Sequence, residues 1–217
     1  MVKVKICGNK SKDGVEATSG ADAVGFIVSA PESSREISPG LAARLVDDTA
    51  PFTSTVAVTT ESDPKELKPL AEQVKPNLLQ VHVPLSPNRL EEIKEEIPQP
   101  TDLITLLPVA GKEATLLDRA RDLAGSAAEA LLLDSKSGES TGGTGETHDW
   151  RVSAKIRNAL HPFPVILAGG LAPDNVGKAI RQVRPYGVDV ASGVEIDGKK
   201  SNRKIEEFLQ EVRKIAA

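Results

Sequence analysis

Three residues in this chain pair acid–base chemistry with a place at the end of a short apolar run. Cys7 closes Val2-Lys3-Val4-Lys5-Ile6, His82 closes Leu78-Leu79-Gln80-Val81, and Asp134 closes Ala130-Leu131-Leu132-Leu133. A carboxyl at the end of an aliphatic run is poor core material, because burial without a partner is costly. Asp134 therefore reads as a proton donor or as a brace for the loop that follows. A lone cysteine is commonly a packing residue. Cys7, however, is the last residue of its run, and Gly8 opens space beside the sulfur, which makes the thiol a candidate base. His82 reads as a pocket residue or as a satisfied structural histidine. Arg35, in Glu32-Ser33-Ser34-Arg35-Glu36-Ile37-Ser38-Pro39, offers a planar fork for a carboxylate. Its alternative is a surface charge paired with Glu32 or Glu36.

A second kind of chemistry is carried by backbone. Val165-Ile166-Leu167-Ala168 runs into Gly169-Gly170, and Val188-Asp189-Val190-Ala191 runs into Ser192-Gly193. Glycine lets backbone N–H groups approach a bound group with no Cβ in the way. Two adjacent strands ending in this way aim two sets of bare amides at one point, which suits a phosphate. Two ordinary strand-to-helix turns that need glycine for steric reasons are the alternative. One helix separates the pair, as expected of the phosphate site after the last two strands of a (β/α)8 barrel. His148 and His161 have no ligand-like spacing to another His, Cys or carboxylate, so a metal site has no support. The chain has no nucleophile elbow and no P-loop.

These residues must be held by elements, and the chain alternates apolar runs with helical patterns throughout. Strands are expected at 2–6, 23–28, 54–58, 78–82, 103–107, 130–134, 165–168 and 188–191. Helices are expected at 12–19, 39–48, 64–73, 87–96, 112–124, 150–160, 173–183 and 202–216. Pro39, Pro64, Pro87 and Pro173 sit where a first-turn proline belongs, and Ser38, Asp63 and Ser86 are good caps before three of them. Eight strands each followed by a helix in 217 residues predict one (β/α)8 TIM barrel spanning residues 1–217 as a single domain. A doubly wound open sheet usually declares itself by G-x-G-x-x-G after its first strand, and Cys7-Gly8-Asn9 is not that. In a barrel the catalytic face lies at the C-terminal strand ends, where Cys7, His82 and Asp134 all stand. The Gly-, Ser- and Thr-rich segment 135–149 is long for a strand-to-helix connection, which points to a functional loop over a surface insertion.

Composition sets the remaining bounds. Hydrophobic residues make up 39% and charged residues 27%, as in a water-soluble globular domain, while aromatics are only 3%, so the core must be aliphatic. A net charge of -4 gives no reason to expect nucleic acid or an anionic membrane as partner. With one cysteine no internal disulfide forms, which favours a reducing compartment. No signal-type or membrane-spanning run is present, and a cytoplasmic location is expected.

Taken together, the motifs resemble the phosphoribosylanthranilate isomerase family of tryptophan biosynthesis. The likeness is carried by Lys5-Ile6-Cys7-Gly8, Gly20-Ala21-Asp22-Ala23-Val24-Gly25-Phe26 and Ser34-Arg35-Glu36-Ile37-Ser38-Pro39. It continues in Leu132-Leu133-Asp134-Ser135, Gly142-Gly143-Thr144-Gly145-Glu146-Thr147-His148-Asp149-Trp150, 164–175 and 184–195. It runs from end to end and in order. The resemblance implies an Amadori rearrangement of N-(5-phosphoribosyl)anthranilate to the 1-deoxyribulose 5-phosphate form, with no cofactor or metal. It implies Cys7 as general base and Asp134 as general acid. Gly169, Gly170, Ser192 and Gly193 would bind the phosphate, Arg35 the anthranilate carboxylate, and Asp189 would assist at the sugar with His82 at the pocket wall. A small-molecule substrate and a monomer or homodimer follow from the same likeness.

The chain departs from the family pattern at Asn9-Lys10, at Val83 where a glycine is usual, and in 101–107, which lacks a lysine. Another phosphate-binding barrel, such as a ribulose-phosphate epimerase or a thiamine-phosphate synthase, would share the glycine loops. An epimerase of that kind needs metal-binding His and Asp at several strand ends, and here only His82 is available. A catalytically silent sugar-phosphate binder would need neither Cys7 nor Asp134.

Overall fold

In the computed structural model, which describes residues 1–135 and 148–216, eight parallel strands close into a barrel. They are β1 (Lys3–Ile6), β2 (Ala23–Ile27), β3 (Ser54–Thr59), β4 (Leu78–Val81), β5 (Asp102–Val109), β6 (Ala130–Ser135), β7 (Val165–Leu167) and β8 (Gly187–Val190). Each neighbours the next in chain order, and β1 closes the ring on β8 with Lys5 opposite Asp189. The helices are α1 (Lys12–Ala17), α2 (Pro39–Asp47), α3 (Pro64–Val74), α4 (Pro87–Glu96), α5 (Glu113–Ala124), α6 (Trp150–Leu160), α7 (Val176–Val183) and α8 (Asn202–Ala216). The expected barrel is thus the observed one.

Local chemistry explains the helix starts. Ser38, Asp63 and Ser86 each turn a side-chain oxygen onto an N–H of the first turn, at Leu41, Lys65 and Arg89, and proline follows each of them. The seventh helix differs from expectation. Pro173 lies in the turn before it, and α7 begins at Val176. Asn175 folds its side chain back instead, accepting from Ala172 N and donating to Gly170 O, which pins the glycine loop to the start of the helix.

Strand alternation sorts every barrel side chain inward or outward. Outward residues such as Val4, Ile6, Phe26, Leu131 and Leu133 pack under the helices. The inward set forms a second, smaller cluster of Cys7, Val56, Val58, Ile104, Leu106, Ala130, Leu132, Ile166 and Ala168. The same parity carries Lys5, Gln80, His82, Asp134 and Asp189 into the barrel. Between β8 and α8 the chain inserts a 3-10 turn, Ser192–Val194, and then a hairpin of β9 (Glu195–Ile196) and β10 (Lys199–Lys200). That hairpin was not foreseen. Its signal is Asp197-Gly198, a two-residue turn in which both residues have positive φ, 49° and 71°.

Candidate active site

The C-terminal mouth of the barrel holds one pocket lined by Cys7, Arg35, His82, Asp134, Gly169, Gly170, Asp189 and Ser192, with Gln80 and Thr59 on its wall. About 890 Å³ of space lies within it, open solvent at the mouth included. Of the residues singled out from sequence, only Gly193 stands behind the lining. A Cβ there would run into the Leu171 carbonyl, so its smallness lets the loop after β8 nest against the loop after β7.

Cys7 follows β1 and is 6% exposed. Its sulfur rests on Gly25, where a Cβ would lie 2.8 Å away. Asn9, at the first departure from the family pattern, is fully buried and donates to the carbonyls of Ile6 and Gly25, tying β1 to β2 beside the sulfur. Burial pushes the Cys7 thiol up from its ordinary value and Asp189 adds to this, while Lys5 and Lys200 pull it down. The mechanism implied by the resemblance calls for a thiol biased toward thiolate. In this pocket desolvation wins and the bias runs the other way.

Asp134 points inward from β6. Burial, reinforced by the charge of Asp189, raises its carboxyl to about 6, against the opposing pull of the Ser135 N–H and Lys5. A carboxyl so raised carries a proton to lend near neutrality. His82 Nε2 lies 3.6 Å from Asp134 Oδ2. Gln80 Nε2 donates to His82 Nδ1 at 3.1 Å, which leaves the ring proton on Nε2, facing the carboxyl. Burial and the nearby Lys5 lower His82, so it stands neutral.

Sequence reasoning missed two lysines. Lys5 shares the inward face of β1 with Cys7, two residues away, and strand parity alone could have found it. Its Nζ sits 2.8 Å from Asp189 Oδ2, with the side chains 5% and 8% exposed, and it also reaches the Cys7 thiol. Burial works against the Lys5 charge, but Asp189 and the Cys7 sulfur outweigh it and hold the ammonium above its usual value. Asp189 Oδ1 is buried and accepts no hydrogen bond among the described residues. Lys200, on the unforeseen hairpin, donates to the Cys7 carbonyl.

Arg35 does not pair with Glu32 or Glu36. Its Nε and Nη2 grip Glu195 at 2.7–3.0 Å, while Glu36 accepts from Ala30 N. After β7, Gly169 and Gly170 have φ of 83° and 63°, a backbone that side chains resist. Among the described residues the N–H groups of Gly169, Gly170, Ser192 and Gly193 meet no acceptor. Unpaired backbone amides at a pocket wall, as at Gly169, Gly170 and Ser192, are groups that can bind an anion.

Of the 135–149 loop, residues 136–147, including the Gly142-to-Thr147 motif, lie outside the described residues. His148 is bound between Ser135 and Ser153 and lowered to about 4 by burial, which suits a structural tie. Among the described residues no group of three His, Cys, Asp or Glu is placed to hold a metal ion, and no helix is long and apolar enough to cross a membrane.

Comparison with known proteins agrees with this geometry. A family model described as N-(5'-phosphoribosyl)anthranilate (PRA) isomerase matches residues 4–211. The N-(5'-phosphoribosyl)anthranilate isomerase of Methanothrix thermoacetophila is 41% identical over 215 residues, covering 98% of this chain and 99% of that protein. The solved isomerase of Thermotoga maritima superposes with a TM-score of 0.84 at 35% identity, covering 99% of this chain and 100% of that one. A phosphoribosyl anthranilate isomerase solved in complex with reduced 1-(o-carboxyphenylamino)-1-deoxyribulose 5-phosphate superposes at 0.81 with 32% identity, again covering 99% and 100%.

Proposed function

The chain belongs to the phosphoribosylanthranilate isomerase family, an isomerase of tryptophan biosynthesis, and from that premise we propose that Cys7 is its general base and Asp134 its general acid. The observation that carries this reading is one pocket lined by a thiol from β1, a carboxyl from β6 raised to about 6, and an amide cradle after β7 and β8.

The substrate is N-(5-phosphoribosyl)anthranilate. Its phosphate sits on the amides of Gly169, Gly170 and Ser192, with Gly193 shaping the second loop from behind. Anchoring at the phosphate supplies binding energy away from the reacting atoms, which is used for orientation. Asp134 protonates the furanose ring oxygen. The C1–O bond breaks with its electron pair going to that oxygen, and the nitrogen lone pair closes C1=N as a cationic Schiff base. The Cys7 thiolate then removes the C2 proton, and the C–H electron pair forms C1=C2 while the C1=N π pair returns to nitrogen, giving the enolamine. Tautomerisation yields the ketone.

The raised Cys7 pKa is reconciled with this role by the intermediate itself. The Schiff-base cation adds a second positive charge to that of Lys5 around the sulfur, at the step where thiolate is needed. Asp189, with its free Oδ1, takes a sugar hydroxyl. Arg35 faces the anthranilate carboxylate, and neutral His82 stays beside Asp134. The protein works in the cytoplasm as a monomer or homodimer, with neither cofactor nor metal.

The test follows the fluorescence of phosphoribosylated anthranilate made in place from anthranilate and phosphoribosyl pyrophosphate. Wild-type protein consumes the signal. Cys7→Ser and Asp134→Asn each lose about 10²–10⁴-fold in kcat. Retention of more than about a tenth of the rate by either folded variant removes that residue from the mechanism.

A further inference from the structure

We propose that the β9–β10 hairpin is a positioning clasp for the pocket, with Lys200 fixing the backbone that carries Cys7 and Glu195 fixing Arg35. The proposal rests on the catalytic reading above and adds two residues to it that do not touch the reacting atoms.

The tight Asp197-Gly198 turn sets Glu195 and Lys200 directly opposite each other as a cross-strand pair. Their side chains are 6% and 5% exposed and meet at 2.8 Å. Lys200 Nζ spends its three protons on Glu195 Oε1, on the Cys7 carbonyl at 2.5 Å and on the Ala191 carbonyl at 3.3 Å. Cys7 and Ala191 leave the barrel from β1 and β8, so a single ammonium ties together the two strand ends that flank the pocket. Glu195 accepts from Arg35 Nε at 3.0 Å and from Nη2 at 2.7 Å. The Arg35 stem lies against Gly8, where a Cβ would come within 2.6 Å of Arg35 Cδ, so the arginine rests on the residue next to Cys7. From the other side, Lys204 of α8 donates to the Glu195 carbonyl at 2.9 Å.

Charges buried this deeply are a poor way to gain stability, since apolar side chains of similar volume generally do as well or better. What the clasp supplies is direction. The backbone at Cys7 and the guanidinium of Arg35 are both referenced to one rigid hairpin, and errors near 1 Å in such positions cost catalysis heavily.

The test uses the enzyme as described and four variants. Glu195→Gln frees Arg35, and KM should rise about tenfold or more with kcat little changed. Lys200→Met releases the Cys7 carbonyl, and kcat should fall about tenfold or more, with Lys200→Arg recovering part of the loss. Gly198→Val acts from the exposed turn, where a Cβ meets nothing within 4 Å but φ is 71°. It should raise KM without touching the pocket, and so keeps the test usable if Lys200→Met does not fold. Iodoacetamide labelling of Cys7, the only cysteine, needs no turnover. Because Lys200 also pulls the thiol down, the sulfur's placement is read in Gly198→Val, which keeps that charge, and the labelling rate should change there. Variants that lose thermal stability while keeping wild-type kcat, KM and labelling rate would reduce the hairpin to a structural staple and overturn the proposal. An active Cys7→Ser would instead break the catalytic reading and leave the labelling result on the clasp standing.

Discussion

Replacing Asp134 by Asn should make the protein inactive and, above neutrality, more stable. In the folded chain this carboxyl is raised from 3.8 to about 6, chiefly by burial. The native state therefore holds its proton through a pH range in which the unfolded chain has lost it. Stability carried by this group falls as pH rises through that range, because the native state binds the extra proton. At about 1.36 kcal/mol per pH unit, the cost of keeping an ionised Asp134 folded reaches about 3 kcal/mol above pH 7. Asparagine has the same shape, still accepts the Ser135 N–H, and carries no such cost. The gain of Asp134→Asn over wild type should thus grow by about 2 kcal/mol between about pH 4.5 and about pH 7.5, by integration across the two titrations. Urea unfolding followed by circular dichroism at both pH values measures this, with unchanged m-values as the two-state check. Equal stability differences at the two pH values would refute the claim that Asp134 is held protonated by its surroundings. The acid role would then need another source for its proton.

Other outcomes follow from the same geometry. Iodoacetamide should place one label per chain, on Cys7, and a product analogue should slow it; fast labelling indifferent to the analogue would put the sulfur outside the substrate site. Changing Lys5 to Met together with Asp189 to Asn removes a cation that lowers the thiol and a carboxylate that raises it, the cation being the larger influence. The pH midpoint of labelling should therefore move up relative to the Asp189→Asn single variant; an unmoved midpoint means Lys5 does not govern the sulfur. Gly169→Ala puts a methyl group within 2.7 Å of Asp134 Oδ1 on a backbone with φ of 83°. It should cost about 1–2 kcal/mol of stability and at least tenfold in kcat, and a variant with normal kcat would show that Asp134 tolerates displacement.

The parts of this protein that rest on local physics were legible in its sequence. β-branched runs between capped helices specify eight strand–helix units, because caps, first-turn prolines and strand alternation act over a few residues. The same alternation sends Cys7, His82, Asp134 and Asp189 into one barrel mouth and places the paired glycines beside it. Even Lys5 and the Asp197-Gly198 hairpin left readable signals. What the chain order does not carry is which charge meets which. Lys5 finds Asp189 across 184 residues, Arg35 finds Glu195 across 160, and Lys200 reaches the Cys7 carbonyl across 193. All three meetings depend on the ring closing β8 onto β1, a register set by the whole barrel. The direction in which Cys7 and Asp134 titrate belongs to the same level. It is the balance of desolvation against neighbouring charges, and neither side of that balance exists until distant strands exclude water from a shared space.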